Sequence, residues 1–281
     1  MIVVMKKDAT EQEIENVLKF IENEGLKPVK VPGKTRTAIN VIGVGENREQ
    51  IEGRVSSQRG VQDVKPISEP YKIASLEHKE RGKVKVERII DGELVQVIFN
   101  GRQIVTIAGP CTIESREQMI RSAEFVSSLG VKMIRGGALK PRTSPYDFQG
   151  YGEEGLKIAR EAADRYKLLY VTEALDANDV PLVAKYADVI QIGTRNMQNY
   201  KLLVAAGQSN LPVLLKRGMS AKIKEFLLAA EYVLKEQVTP RVILCLRGIR
   251  TFEDITRNTM DLGSIPILRQ LSWLPVILDP S

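Results

Sequence analysis

Two rhythms of apolar and polar positions run along this chain, and one gives way to the other near residue 100. In the first, Ile2 to Met5 reads as a strand, and Thr10 to Asn23 sets Ile14, Val17, Leu18 and Ile21 at helical spacing. Leu26 to Val31 and Thr37 to Val44 read as strands around a turn at Pro32-Gly33-Lys34, Asn47 to Val55 as a second helix, and Val61 to Ile67 as a last strand. The order strand-helix-strand-strand-helix-strand is the split βαβ, or ferredoxin-like, arrangement, and nothing catalytic stands out in it. A segment rich in Glu, Lys and Arg, Glu69 to Asp91, joins it to the rest and predicts a small hairpin.

From Gln103 onward, wholly apolar runs alternate with amphipathic stretches. The runs are Ile104–Ala108, Val131–Ile134, Leu168–Thr172, Val189–Ile192, Val213–Leu215, Val242–Cys245 and Val276–Leu278. Between them lie helical patterns such as Glu117–Leu129, Gly152–Tyr166 and Ala221–Leu234. Strands without alternation are buried on both faces, which implies a parallel sheet with helical crossovers. Polar residues gather at the C-terminal ends of the runs: Cys111, Arg135, Glu173, Arg195, Lys216, Arg247 and Asp279. Six or more strands contributing on one face favours an α/β (β/α)8 barrel over a doubly wound sheet, which gathers ligands only at a switch point. The expected organisation is a ferredoxin-like domain over 1–69, a linker and barrel-capping segment over 70–102, and an incomplete barrel over 103–281. Seven strands are visible, so strands one and seven are expected to be open edges, in a fragment or in a barrel that something else closes.

Composition narrows the chemistry. The 281 residues are 43% hydrophobic and 27% charged, with a net charge of +6. Aromatic residues are only 5%, and no basic helix or nucleic-acid signature occurs, so small anions explain the positive charge better than nucleic acid does. No apolar run is long enough to span a membrane, no signal segment is visible, and only Cys111 and Cys245 occur, which points to the cytoplasm. The single histidine, His78, excludes Ser/His/Asp and Cys/His triads and multi-histidine metal sites.

The densest chemistry is Arg135-Gly-Gly-Ala-Leu-Lys-Pro-Arg-Thr-Ser-Pro145. Prolines stiffen this loop, glycines allow close backbone approach, and Arg135, Lys140 and Arg142 offer guanidinium forks and a point charge to phosphate or carboxylate oxygens. A solvated basic loop needs none of that stiffness. Five cations, Arg135, Lys140, Arg195, Lys216 and Arg247, converge at strand ends, more than one phosphate requires and enough for two phosphates and a carboxylate. Cys111, after Gly-Pro at the first strand's mouth, is a small hydrophobe, a metal ligand or a nucleophile; Cys245 is core packing. Glu173 and Asp279 are candidates for acid, base or metal partner, or for pairing with Lys or Arg.

Several motifs resemble those of the 3-deoxy-D-arabino-heptulosonate 7-phosphate synthases, of the microbial type with an N-terminal ferredoxin-like domain. They are Ala108-Gly-Pro-Cys-Thr-Ile-Glu-Ser115, Arg135 through Gly150, Gln191-Ile-Gly-Thr-Arg-Asn-Met-Gln-Asn199, Leu214-Leu-Lys-Arg-Gly218 and Arg247-Gly-Ile-Arg-Thr-Phe-Glu253. The resemblance covers essentially the whole chain; the related 3-deoxy-octulosonate 8-phosphate synthases share the barrel but differ at Lys140-Pro-Arg-Thr143. It implies condensation of phosphoenolpyruvate with erythrose 4-phosphate, opening the shikimate pathway to aromatic amino acids. By motif, Arg135, Lys140, Thr194, Arg195, Lys216 and Arg247 look like the phosphoenolpyruvate cage, with Arg135 and Lys140 catalytic, and Lys140, Pro141, Arg142 and Thr143 like the erythrose 4-phosphate grip. Cys111 looks like the family's cysteine ligand for a divalent metal such as manganese, with Asp279 close behind it. The resemblance further implies a homotetramer or homodimer and an aromatic amino acid as effector of the first domain.

The chain departs from the family's pattern in two places. The family's metal set is Cys, His, Glu and Asp, and only Cys111 of it is found; its histidine follows the Asp-Pro-Ser that here is Asp279-Pro280-Ser281. Leu246 stands where close relatives have Glu before Arg-Gly. One thiolate cannot hold a catalytic divalent ion, so weak metal binding and little or no turnover are expected. The alternatives are a non-catalytic phosphosugar-binding or regulatory protein, and an interaction module whose first domain binds an aromatic amino acid.

Overall fold

The computed structural model describes residues 1–32, 36–42, 48–65, 70–76, 81–141, 144 and 146–281, which fall into two units, Met1–Pro70 and Tyr71–Ser281. The expected turn at Gly33-Lys34, the strand ends Gly43–Val44 and Pro66–Ile67, the helix start Asn47, and His78 lie outside the described residues.

In the first unit, β1 (Ile2–Met5), α1 (Glu11–Asn23), β2 (Lys27–Pro32), β3 (Thr37–Ile42), α2 (Arg48–Ser56) and β4 (Val61–Lys65) follow the strand-helix-strand-strand-helix-strand order. The sheet order is β2-β3-β1-β4, antiparallel throughout. Thr10 starts α1 with a capping box: the Glu13 amide donates to its hydroxyl at 3.2 Å, and its own amide donates to the Glu13 carboxylate at 2.9 Å. Ile14, Val17 and Ile21, one helical face, then bury against Val3, Met5, Ile39 and Val41.

The second unit opens with a hairpin, β5 (Val84–Ile90) and β6 (Glu93–Phe99). It runs past the Glu69–Asp91 segment in which it was expected, because the turn that makes it is Asp91-Gly92, both at positive φ (48° and 80°), the geometry of a tight two-residue hairpin turn. Then come β7 (Ile107–Ala108), α3 (Arg116–Ser128), β8 (Met133–Arg135), α4 (Gly152–Arg165), β9 (Leu169–Ala174), α5 (Val180–Tyr186), β10 (Val189–Ile192), α6 (Tyr200–Gln208), β11 (Val213–Lys216), α7 (Ile223–Glu236), β12 (Val242–Leu246), α8 (Ser264–Leu271) and β13 (Val276–Leu278). The seven strands β7 to β13 pair in chain order, every pair parallel. The three expected helices lie within two residues of their predicted bounds. The expected first strand, Ile104–Ala108, is corrected: only Ile107 and Ala108 pair, with Met133 and Ile134, and Ile104 is 97% exposed. An edge strand with one short neighbour has nothing to pair its first residues with.

Both faces of this sheet are buried, which is why its strands show no alternation. One set of side chains, among them Ile134, Tyr170, Ile190, Leu215 and Leu244, packs under the helices. The other set, Met133, Leu169, Val171, Val189, Leu214, Ile243 and Cys245, faces inward and meets Val84, Val86, Ile90, Val95 and Phe99 of the hairpin. The hairpin thus floors the end where the strands begin, and the end where they finish is left for chemistry. No described helix is long and apolar enough to cross a membrane.

Candidate active site at the strand ends

Each candidate side chain sits where an apolar strand stops. Arg135 ends β8, Lys216 ends β11, Glu173 is the penultimate residue of β9, and Arg247 and Asp279 follow β12 and β13 directly. Thr194 and Arg195 form a single turn of 3₁₀ helix after β10, and Cys111 stands three residues beyond β7. Arg142 and Thr143 lie outside the described residues.

The structure brings most of these groups together. Lys140, itself buried, donates from Nζ to the Cys111 carbonyl at 2.9 Å and to its Sγ at 3.4 Å. Partial burial opposes ionisation of Cys111, but Lys140 and then Arg135 outweigh it and hold the thiol below its usual range. Glu173 accepts from Gln191 Nε2 at 3.3 Å; burial pushes its carboxyl up, against the pull of Lys140, Lys216 and Arg135. Lys216 is ion-paired with Asp279. Burial favours the neutral form of Asp279, yet hydrogen bonds from Lys216 and Ser281 prevail and bring it from 3.8 to about 2. Arg195 is exposed and, among the described residues, donates to the Pro141 carbonyl, at 3.4 Å.

The glycines here accommodate the protein's own groups. A side chain on Gly193 would meet the Glu173 carboxylate at 1.9 Å, and one on Gly109, at φ 140°, would meet the Arg135 carbonyl at 2.1 Å. Two hydroxyls fix the start of the Arg135-Gly-Gly loop: Tyr170 and Thr172 each donate to the Gly136 carbonyl at 2.8 Å. Five buried side-chain polar atoms among the described residues lack a partner, and two of them belong to the candidate site residues. Thr194 Oγ1 and Arg247 Nε are buried with no hydrogen-bond partner among the described residues. A buried donor without a partner costs stability, so such atoms at a cationic mouth mark where an anion's oxygens would be received.

Gln191, Tyr170 and Thr172 were not singled out as site residues from sequence. Gln191 had one signal, a polar side chain inside the apolar run Val189–Ile192; the two hydroxyls had none, because their partner lies 34 and 36 residues away. A cavity of about 860 Å³ opens below these groups, lined by Arg135, Gln191, Lys216 and Asp279 and by residues of both edge strands.

No group of three His, Cys, Asp or Glu among the described residues could hold a metal ion. Cys111 has the Lys140 ammonium against its sulfur, and the Asp279 carboxylate is taken by Lys216. These residues do not fit a divalent metal centre.

Acid should test the Lys216–Asp279 pair. A carboxyl whose pKa is depressed on folding stabilises the fold above its unfolded value and loses that contribution as pH falls through the folded one. The window therefore runs from pH 3.8 down to about 2. Asp279→Asn is expected to flatten the fall of the urea midpoint in that window; an unchanged slope would show that the pair contributes nothing.

Comparison with known proteins identifies the family. Residues 83–281 match the model of the DAHP synthetase I family, and residues 1–69 match the DAHP synthase ferredoxin-like domain. The chain is 49% identical, over its whole length and 80% of the relative's, to phospho-2-dehydro-3-deoxyheptonate aldolase of Thermotoga maritima. A crystal structure of that Thermotoga maritima aldolase (DAHP synthase) superposes with a TM-score of 0.76 at 45% identity, covering 100% of this chain and 78% of that one. A 2-dehydro-3-deoxyphosphooctonate aldolase of Fusobacterium nucleatum is more distant, 30% identical over 65% of this chain and 67% of its own. Two family matches that together span both units, and a relative matched along the whole chain, establish that the protein belongs to the DAHP synthetase I family.

Proposed function

We propose that the cationic mouth binds phosphoenolpyruvate and erythrose 4-phosphate and condenses them with water to 3-deoxy-D-arabino-heptulosonate 7-phosphate and inorganic phosphate, the first step of the shikimate pathway. The observation that carries this reading is the pair of buried donors without a partner among the described residues, Thr194 Oγ1 and Arg247 Nε, just past the ends of strands of the sheet whose other strands end in Arg135 and Lys216. Arg135, Lys140, Thr194, Arg195, Lys216 and Arg247 hold the phosphate and carboxylate of phosphoenolpyruvate, and Lys140, Pro141, Arg142 and Thr143 hold the sugar phosphate. Their charge lets two anions approach in one geometry, a contribution of positioning and electrostatics. The enol carbon then bonds to the aldehyde carbon, water adds at the phosphate-bearing carbon, and phosphate leaves with its bridging oxygen. Glu173, with its pKa raised by burial, accepts the proton of that water, and a proton is returned to the former aldehyde oxygen, which becomes a hydroxyl. A homotetramer or homodimer, a cytoplasmic location and an aromatic amino acid as effector of the ferredoxin-like unit belong to the same proposal and rest on family membership alone.

The metal half of such a site is a separate matter. Family membership implies a divalent ion, and Cys111 is the residue that would contribute to holding it, yet no set of three ligands is gathered among the described residues. These 281 residues are therefore expected to bind phosphoenolpyruvate while turning over slowly or not at all. Calorimetry with phosphoenolpyruvate, and its loss on adding erythrose 4-phosphate with manganese, test the two halves separately. No phosphoenolpyruvate binding would sink the proposed function, and consumption with arabinose 5-phosphate in place of erythrose 4-phosphate would move it to the octulosonate reaction. Titration with manganese alone is expected to give no saturation at micromolar metal; stoichiometric tight binding would overturn the ligand argument.

A further inference from the structure

Two cations stand side by side at the end of β11 and serve different faces. Lys216 lines the cavity and pairs with Asp279. Arg217, next in the chain, turns the other way, as alternation along an extended chain requires, and is buried. Its Nε donates to the Ala221 carbonyl at 2.9 Å, which closes the turn between β11 and α7. Its Nη1 donates to Asp261 Oδ2 at 2.7 Å and to Ser264 Oγ at 3.0 Å. Ser264 in turn donates to the same Asp261 oxygen at 2.5 Å. The Ser264 hydroxyl and then Arg217 hold the Asp261 carboxyl below its usual range. One guanidinium fork thus joins the loop after β11 to the start of α8, which the point charge of a lysine cannot do.

Asp261 lies near the end of the connection that begins with Arg247. Residues 251–257 are all exposed, Phe252 and Ile255 among them, so the tip of this connection contributes little packing and its base fixes it. Three contacts make that base. Ile249 and Thr259 exchange amide-to-carbonyl hydrogen bonds at 2.8 and 2.9 Å, and the Arg250 amide donates to the Met219 carbonyl at 3.0 Å. Gly248 lies so close to the returning limb that a side chain on it would meet Asn258 Cβ at 2.6 Å. The limb therefore presses on the residue directly after Arg247, and Arg217 anchors it two positions beyond Thr259. We infer that Arg217 and Asp261 are positioning residues for the anion site: their ion pair holds the returning limb against Gly248 and so sets where Arg247 stands. The inference rests on the phosphoenolpyruvate site proposed above, and both residues act through Arg247.

Calorimetry with phosphoenolpyruvate on the full chain and on its Asp261→Ala and Arg217→Lys variants tests this. Each variant is expected to raise Kd about tenfold, because a loop that has to be ordered on binding costs affinity. Asp261→Asn keeps an acceptor for Arg217 and Ser264 and is expected to recover most of that loss. In an Arg247→Met background, Asp261→Ala should add less than about twofold, since residues that act through one another are not additive. Hydrogen exchange supplies a readout without ligand: the amides of Ile249 and Thr259 should exchange about tenfold faster in Asp261→Ala, and those of β12 at their former rate. If Arg217→Lys folds poorly, the Asp261 variants and the exchange rates decide. No phosphoenolpyruvate binding by the unaltered chain would overturn the proposed site and this inference with it. Where the unaltered chain binds, three results would overturn the inference alone: an unchanged Kd in folded Asp261→Ala, the same tenfold loss in the Arg247→Met background, or unchanged exchange at Ile249 and Thr259.

Discussion

Arg247→Met is expected to weaken phosphoenolpyruvate binding by about 1.5–3 kcal/mol, roughly ten- to a hundredfold in Kd, while leaving stability unchanged or slightly higher. The two effects have one cause. Arg247 follows β12 with its Nε buried and no hydrogen-bond partner among the described residues, so the folded protein carries the cost of desolvating it and receives no bond in return. An anion placed at the mouth would supply that bond, and a charge-assisted one is about twice as strong as a neutral one. Methionine keeps the length and apolar stem and removes the donor. Calorimetry gives the affinity and urea denaturation the stability. Unchanged affinity with lowered stability would make Arg247 a structural residue and take away the principal support for the anion site.

Asp188→Ala should be the most destabilising single change outside the apolar core, at about 3–5 kcal/mol, with phosphoenolpyruvate affinity retained. Asp188 precedes β10, at the opposite end of the strands from the candidate site. Its Oδ2 accepts from Arg160 Nη1 at 2.8 Å and from the Tyr170 amide at 2.7 Å, and its Oδ1 accepts from Arg88 Nη1 of the hairpin at 3.2 Å. Both Asp188 and Arg160 are buried. Removing the carboxylate leaves the buried Tyr170 amide unpaired and the Arg160 guanidinium with only the more exposed Asp164 as counter-charge, which is the costly way to break a buried pair. The double variant Asp188→Ala, Arg160→Met should recover part of the loss, because it also removes the stranded charge. A loss below about 1 kcal/mol, as for an exposed pair, would show that the network contributes little.

The two residues differ in how far they could be read from the chain. Arg247 was legible: it follows an apolar run and precedes a glycine, as Arg135 does, and Lys216 and Asp279 likewise stand at the end of apolar runs. Asp188 and Arg160 had no such signal. Arg160 falls on the apolar face of a helix, where a long basic side chain commonly reaches past the core to solvent. Asp164, four residues on in the same helix, is a partner the sequence does place beside it, but its burial also depends on three that it does not: the Asp188 carboxylate and the carbonyls of Leu168 and Tyr186. The first strand of the barrel fails in the opposite sense. Ile104 to Ala108 has the composition of a buried strand, yet only its last two residues pair, because pairing needs a neighbour and that edge has just one.

By itself the sequence determined the order of strands and helices, the parallel sheet and the end of it where cations collect. Each of these follows from a period or a composition change within a few residues, and burial on one or both faces of an element imposes such a period directly. Only the tertiary structure decided the pairings: Lys140 against Cys111, Lys216 with Asp279, Gln191 on Glu173, and the two hydroxyls that hold Gly136. It alone decided that Thr194 Oγ1 and Arg247 Nε have no hydrogen-bond partner among the described residues and that β7 and β13 line one cavity. The reason is physical. Curling the sheet brings together residues from 18 to 63 positions apart, and contacts at that separation leave no local period in the chain.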